Sequence, residues 1–532
     1  MRSLPWKNWS SCWKNGRYEK SGQDFSPGTC GNGCPGLPVN GNGRYPDLFD
    51  LTPALTSKNN YQIKTSLFSG ICEIIKVVTK LFLRKPERRE VFPAKTKEKI
   101  TRKETREHLA QFNLACELVK VIRHFFPDLI PLLKRVEDPR HQSYILYSNH
   151  VLLMIRILSS IFYINSMRST SAEFNNETVI ENIGILCGEE LEELPYWETI
   201  NDYLKRFSSD ELQKVVWRLV YRLIRSRAFE DARIRGKYWQ VIIDGTQLYR
   251  SRKDLGKHSL FCRKKKGTEE EYIEYYHYVL EAKIVLHEKI QVSILTEFIE
   301  NENREVDKQD CEQKGAKRLM ERLKQEFPML QICICGDSLY ASEGFFKECR
   351  RKKWKYILRY KEGSIPSINQ EYQVLKIREK NRMEEAGGVY DYVTGIDYRG
   401  ESINVVEYED LEEKKKFLFV TDLSITGRNV KGTVERGRWR WKIENEGFNT
   451  QKNQGYHLEH RFSHDYQGMK NHYYLIQIGH MIAQIIEAWE MLWKKVKQSR
   501  EQKHRLLLTA WKNRGLKESL RELEKKIQVR FA

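Results

Sequence analysis

The hydrophobic period of the chain changes near residue 237, and this change restricts the possible folds more than any other feature. Upstream, Phe112–Phe126, Tyr147–Ile164, Ile180–Leu186 and Leu212–Ala228 repeat apolar residues at three- and four-residue steps, as amphipathic helices do. Pro127, Pro131, Pro139 and Pro195 punctuate them. Downstream, Lys237–Ile243, Tyr272–Leu286 and Lys289–Glu297 alternate or run continuously apolar and read as strands. Gln309–Phe327 then reads as a helix, Leu330–Ile334 as a strand, Ser342–Lys353 as a helix and Lys355–Tyr360 as a strand. That order predicts an α/β sheet domain behind an all-α N-terminal region.

Residues 361–415 interrupt the order. Tyr390–Ile396 and Ser402–Tyr408 flank Asp397-Tyr398-Arg399-Gly400-Glu401, a hairpin signal, and predict a small β-rich insertion. Phe417–Val420 resumes the main domain, Asn429–Gln454 reads as a helix dense in Arg and Trp, and Tyr473–Trp493 as a packing helix. Residues 1–48 hold 8 Gly and 5 Pro, too little apolar surface to order themselves. The expected organisation is a disordered tail at 1–60, a helical region at 61–230 and the first part of the α/β core at 231–360. The insertion follows at 361–415, the second part of the core at 416–495 and a charged helical tail at 496–532.

The charge balance narrows the partner. Lys plus Arg number 92 against 72 Asp plus Glu, a net of +20, which suits a polyanion. Ser66–Leu83 is broken by Glu73, Lys76 and Lys80, and Val151–Ile164 is short and contains Arg156, so neither reads as a membrane span. A soluble cytoplasmic protein without membrane attachment is expected. The 11 cysteines are scattered through a large chain, so a disulfide framework is not expected, and Cys30 and Cys34 read as free thiols. No Gly-x4-Gly-Lys-Ser/Thr loop supports nucleotide-driven chemistry. Residues 84–106 carry 10 Lys/Arg against 4 Asp/Glu and read as a basic connector or a phosphate-contacting arm.

Three acids stand out by position. Asp244 closes Val-Ile-Ile-Asp-Gly, Asp337 closes Ile-Cys-Gly-Asp-Ser, and Glu444 sits in Arg440-Trp441-Lys442-Ile443-Glu444. Hard oxygen ligands at strand ends and on a helix can converge on Mg²⁺, which takes one or two carboxylates with waters and substrate phosphate oxygens. Each acid also has an ordinary reading. Asp-Gly is a common turn, Asp-Ser a helix entry, and Glu444 one charge on a solvated face. Asp422 ends a strand too.

The order of strands and acids resembles the RNase H-like core, and more closely the DDE transposases of bacterial insertion sequences that carry a β insertion before the Glu helix. Their Tyr-x2-Arg-x3-Glu-x6-Lys signature often contains Arg-Trp-x-Ile-Glu, which Arg440–Glu444 matches, and 107 residues separate Asp337 from Glu444. The resemblance covers about 237–493. It implies that Asp244, Asp337 and Glu444 are catalytic and bind two Mg²⁺ ions, or Mn²⁺ in their place. It further implies cleavage at element ends and transfer of the freed 3′-hydroxyl into target DNA. The implied partners are double-stranded DNA, as terminal inverted repeats and target, and a second copy of the chain on paired ends. A nuclease on the same core, or an inactive DNA-binding descendant, is the alternative.

Two positions depart from that signature, with Gly437 where Tyr is expected and Gln451 where Lys is expected. At about 100° per residue Gln451 lies within about 20° of Glu444 and Lys452 about 80° away, so Lys452 is the candidate replacement. Glu446, about 200° from Glu444, is its rival as third acid. Arg440, Lys452, Arg436, Arg438 and Lys442 are candidate phosphate contacts, and Trp441 could stack on an unpaired base. Arg263–Lys266 and Arg350–Lys353 read equally as DNA-backbone contacts or solvated surface. His457, His460 and His464 receive no role.

Overall fold

Ten strands form one mixed sheet in the computed structural model, which describes residues 100–531 except 304, 305, 307 and 386. The expected Gly/Pro-rich tail, with Cys30 and Cys34, residues 61–83 of the expected helical region and residues 84–99 of the basic arm lie outside the described residues.

The sheet begins with β1 (Trp239–Ser251), β2 (Leu260–Lys264), β3 (Tyr272–His287) and β4 (Ile290–Ile299). β3 pairs antiparallel with β1 along one edge and with β2 and β4 along the other. After the helix Glu312–Glu326, β5 (Ile332–Gly336) pairs parallel with β1, and after the helix Glu343–Arg351, β6 (Lys355–Tyr360) pairs parallel with β5. The α/β order read from the period change is therefore present, with β2 added. β1 also departs from expectation. It does not stop at Asp244 but runs seven residues further, because Thr246 and Leu248 continue the buried alternation and the strand keeps pairing with β3 to Ser251 across an irregularity after Gln247.

The segment 361–415 holds a helix, Pro366–Glu379, and three strands, β7 (Arg382–Glu385), β8 (Gly388–Tyr398) and β9 (Glu401–Asp410). The β8–β9 hairpin turns at Arg399 and Gly400, both with positive φ, as the Asp-Tyr-Arg-Gly-Glu signal anticipates. These strands do not stand apart. β9 pairs with β10 (Lys415–Thr421), which pairs with β6, so the sheet continues through them.

Two apolar layers cover the sheet. On one face, the helix Tyr466–Ala488 is buried along nearly its whole length and packs against β4 and against the helices Asn149–Ile161 and Ser209–Arg225. The latter starts at Ser208, whose hydroxyl accepts from the Asp210 N–H, and turns Leu212, Val216, Leu219 and Leu223 inward. The described residues form one compact unit, with a core shared between helices and strands. The expected C-terminal tail joins that core. The helix Arg500–Asn513 buries His504, Leu507 and Trp511, and Asn182 donates to the Trp511 and Arg514 carbonyls. The other face carries a smaller core in which Ile242, Cys335, Ile357 and Phe419 meet Val430, Val434, Ile443 and Phe448.

Candidate active site

Strand register brings the first two acids together. Ile242 pairs with Cys335 at the end of the β1–β5 ladder, so continuing both strands by two residues reaches Asp244 and Asp337. Side chains two apart share a sheet face, and Gln240, Ile242 and Asp244 therefore point the same way. Gln240 donates to the Arg436 carbonyl at 2.8 Å and Ile242 packs in the core with Ile443. Asp244 thus faces the late helical segment that carries Arg440 and Glu444. Asp337 Oδ1 accepts from the Leu339 N–H at 2.8 Å, which fixes the turn after β5.

The electrostatics reflect this crowding. Burial pushes the half-buried Asp244 carboxyl up to about 7; Arg440 opposes the rise, and Glu312 and Asp337 add to it. A carboxylate pair at two strand ends fits the one or two carboxylates with which Mg²⁺ is commonly held, the rest of its shell being water and substrate phosphate. Among the described residues, no three His, Cys, Asp or Glu side chains gather closely enough to hold a metal ion. Glu444 therefore does not join the aspartates in a ready three-carboxylate cluster.

The Glu segment is not the continuous α-helix that the sequence suggests. Val430–Arg438 is α-helical, the chain turns at Trp439 and Arg440, and Ile443–Asn449 is a π-helix. The wider turn of a π-helix advances each residue by less than the α-helical angle, so angular positions counted from Glu444 shift. Glu446 is occupied elsewhere, 3.7 Å from the Lys442 ammonium and accepting from Gln291 at 3.4 Å.

Both departures from the signature have a packing explanation. A Cβ on Gly437 would lie 2.7 Å from the Phe419 ring and 3.1 Å from Ile357, so no tyrosine fits. Gln451 is fully buried and donates to Gln477 at 2.8 Å, the same side-chain oxygen that accepts from the buried Lys283 at 3.1 Å. Lys452 instead reaches the rim of β1, where its ammonium donates to the Gln247 carbonyl at 2.6 Å and pairs with Glu459 at 2.8 Å.

The remaining candidates divide. The Arg440 guanidinium lies 4.7 Å over the Trp441 ring, and Trp441 is 48% exposed. Arg438 stacks on Tyr408 and Phe417, and Lys442 donates to the Glu288 carbonyl at 2.7 Å. Arg436 turns inward over Trp439, where burial lowers its pKa. Of the basic runs, Arg350 pairs with Glu401 at 2.5 Å, and Arg351 and Lys352 pair with Glu321 and Glu348. Lys264 pairs with Glu274 and Lys265 with Glu270. Asp422 accepts from Lys355 and the Tyr356 N–H, a strand-joining role away from the pair.

Sequence reasoning missed four residues, Arg359, Tyr278, Tyr340 and Glu312. Arg359 on β6 lies near Arg440, and burial together with that neighbour lowers its pKa to about 10. Tyr278 and Tyr340 donate to opposite oxygens of the Glu312 carboxylate. Asp337-x2-Tyr340 is a local pattern that could have drawn attention to one tyrosine, but nothing near Glu312 in the sequence signals it.

Residues 236–482, the span from β1 through most of the long buried helix, match the family described as "Transposase DDE domain". Among curated proteins none matches the chain.

Proposed function

With residues 236–482 placing the chain in the DDE transposase family, we propose that it cuts DNA at the ends of an insertion sequence and joins the freed 3′-hydroxyl to target DNA. The observation that carries this reading is the adjacency of Asp244 and Asp337, facing the segment that bears Arg440 and Glu444. The strand order β4-β3-β1-β5-β6 supports an RNase H-like core, with β7–β9 as the insertion before the Glu segment. No helix among the described residues is long and apolar enough to cross a membrane.

Asp244 and Asp337 would hold divalent ions, Mg²⁺ or Mn²⁺, with Glu444 completing the set once DNA is bound. Bound ions of this kind activate a water or hydroxyl nucleophile and steady the leaving oxygen in phosphodiester displacement. The chain's own residues do the rest. Arg440, poised between Asp244 and Trp441, holds a phosphate against the aspartates with its planar fork. Lys452 neutralises a neighbouring phosphate from the rim of β1. Trp441 offers its exposed ring to a base unstacked at the cut. Two copies of the chain would act on two paired ends.

The test is incubation of the purified full-length protein with Mg²⁺ and DNA bearing the element's inverted repeats. Cleavage followed by joining supports this reading. Cleavage without joining indicates a nuclease, and salt-sensitive binding without cutting indicates an inactive DNA-binding descendant.

A further inference from the structure

The backbone ladder between β1 and β5 ends at Ile242 and Cys335, two residues short of both aspartates. Something else must hold Asp244 and Asp337 at a constant separation, and the opposite face of the sheet supplies it. Gly245 and Gly336 each adjoin one of the aspartates and present the reverse face. A Cβ on Gly245 would lie 2.3 Å from the Tyr278 hydroxyl, and one on Gly336 would lie 2.7 Å from the Tyr340 ring. Each glycine is therefore covered by a tyrosine in close contact with its backbone. Tyr278 donates to Glu312 Oε2 at 2.7 Å, and Tyr340 donates to Oε1 of the same carboxylate. Tyr340 is buried, and Glu312 opens the helix Glu312–Glu326 that crosses behind β3 and β4.

We propose that Glu312 is a positioning residue: its carboxylate ties Tyr278 to Tyr340 and so braces the two strand ends from behind, fixing the spacing of Asp244 and Asp337 for metal binding. This rests on the reading of those aspartates as metal ligands. The brace uses charge-assisted hydrogen bonds, which are stronger than neutral ones, to replace the missing ladder. Partners behind a metal site commonly set its affinity in this way.

The experiment titrates Mn²⁺ into the full-length protein saturated with inverted-repeat DNA, following free Mn²⁺ by electron paramagnetic resonance with the DNA-only background subtracted. Glu312→Ala is expected to weaken Mn²⁺ binding about tenfold. The double variant Tyr278→Phe/Tyr340→Phe, which keeps both rings over the glycines, should weaken it to a similar extent while its Tm and metal-free DNA affinity stay near wild type. If Glu312→Ala fails to fold, the phenylalanine pair carries the test alone. Wild-type Mn²⁺ affinity in the phenylalanine pair, or in folded Glu312→Ala, would overturn the brace while leaving the aspartates as ligands. Mn²⁺ binding unaffected by Asp337→Asn would overturn the metal-site reading itself, and the brace with it.

Discussion

Asp244 and Asp337 stand side by side because β1 and β5 are parallel and in a register that pairs Ile242 with Cys335. Burial, with Glu312 and Asp337 adding to it, lifts the Asp244 carboxyl to about 7. Folding thus gathers carboxyl groups where a bound cation would neutralise them.

That confinement has a pH signature. The folded pKa of Asp244 lies above its ordinary value of 3.8, so its contribution to stability is full below about 4 and is lost as pH rises through about 7. Asp244→Asn should therefore stabilise the metal-free protein at pH 8 by about 1–2 kcal/mol, after allowance for solvent screening at a half-buried site. The gain should vanish near pH 4. Thermal melts of both proteins across pH 4–8 check the sign.

Gly437 gives a second prediction. Restoring the signature residue with Gly437→Tyr drives a side chain into Phe419 and Ile357, and overpacking of this kind costs about 1–3 kcal/mol or more. Chemical denaturation should show a lower midpoint, not improved activity.

The Lys position separates two neighbours. Gln451→Lys would bury a second cation beside Lys283, whose own pKa burial lowers to about 8, and should cost several kcal/mol. Lys452→Ala should leave the fold intact and weaken DNA binding. The slope of log affinity against log salt should fall by about 0.9, as expected for one phosphate contact. Denaturation curves and salt-dependent binding titrations distinguish the two.

The residues that make these tests differ were legible to different degrees. Val-Ile-Ile-Asp and Ile-Cys-Gly-Asp are short apolar strands, and their period alone marks β1, β5 and the two acids. The Arg399-Gly400 turn is equally local. The extension of β1 past Asp-Gly was hidden because Gly245 reads as a turn, whereas its lack of a side chain serves the approach of Tyr278. β2 was hidden beneath a basic run, and the pairing of Arg350–Lys352 with acids depends on residues distant in sequence. The π-helical turn around Glu444 has no compositional mark, so an angular count based on α-helix could only approximate which residues share its face. Glu312 joins tyrosines 34 and 28 residues away, and only the folded sheet puts them together.

The Mg²⁺-dependent cleavage rate of inverted-repeat DNA by wild type and Asp337→Asn tests the proposed metal site. Asparagine keeps the side-chain oxygen that accepts from the Leu339 N–H, so the turn and the fold should persist. Wild type should cut, and Asp337→Asn should lose about a thousandfold in rate, several kcal/mol of transition-state stabilisation, while binding the same DNA. Equal cleavage by both proteins would contradict that site.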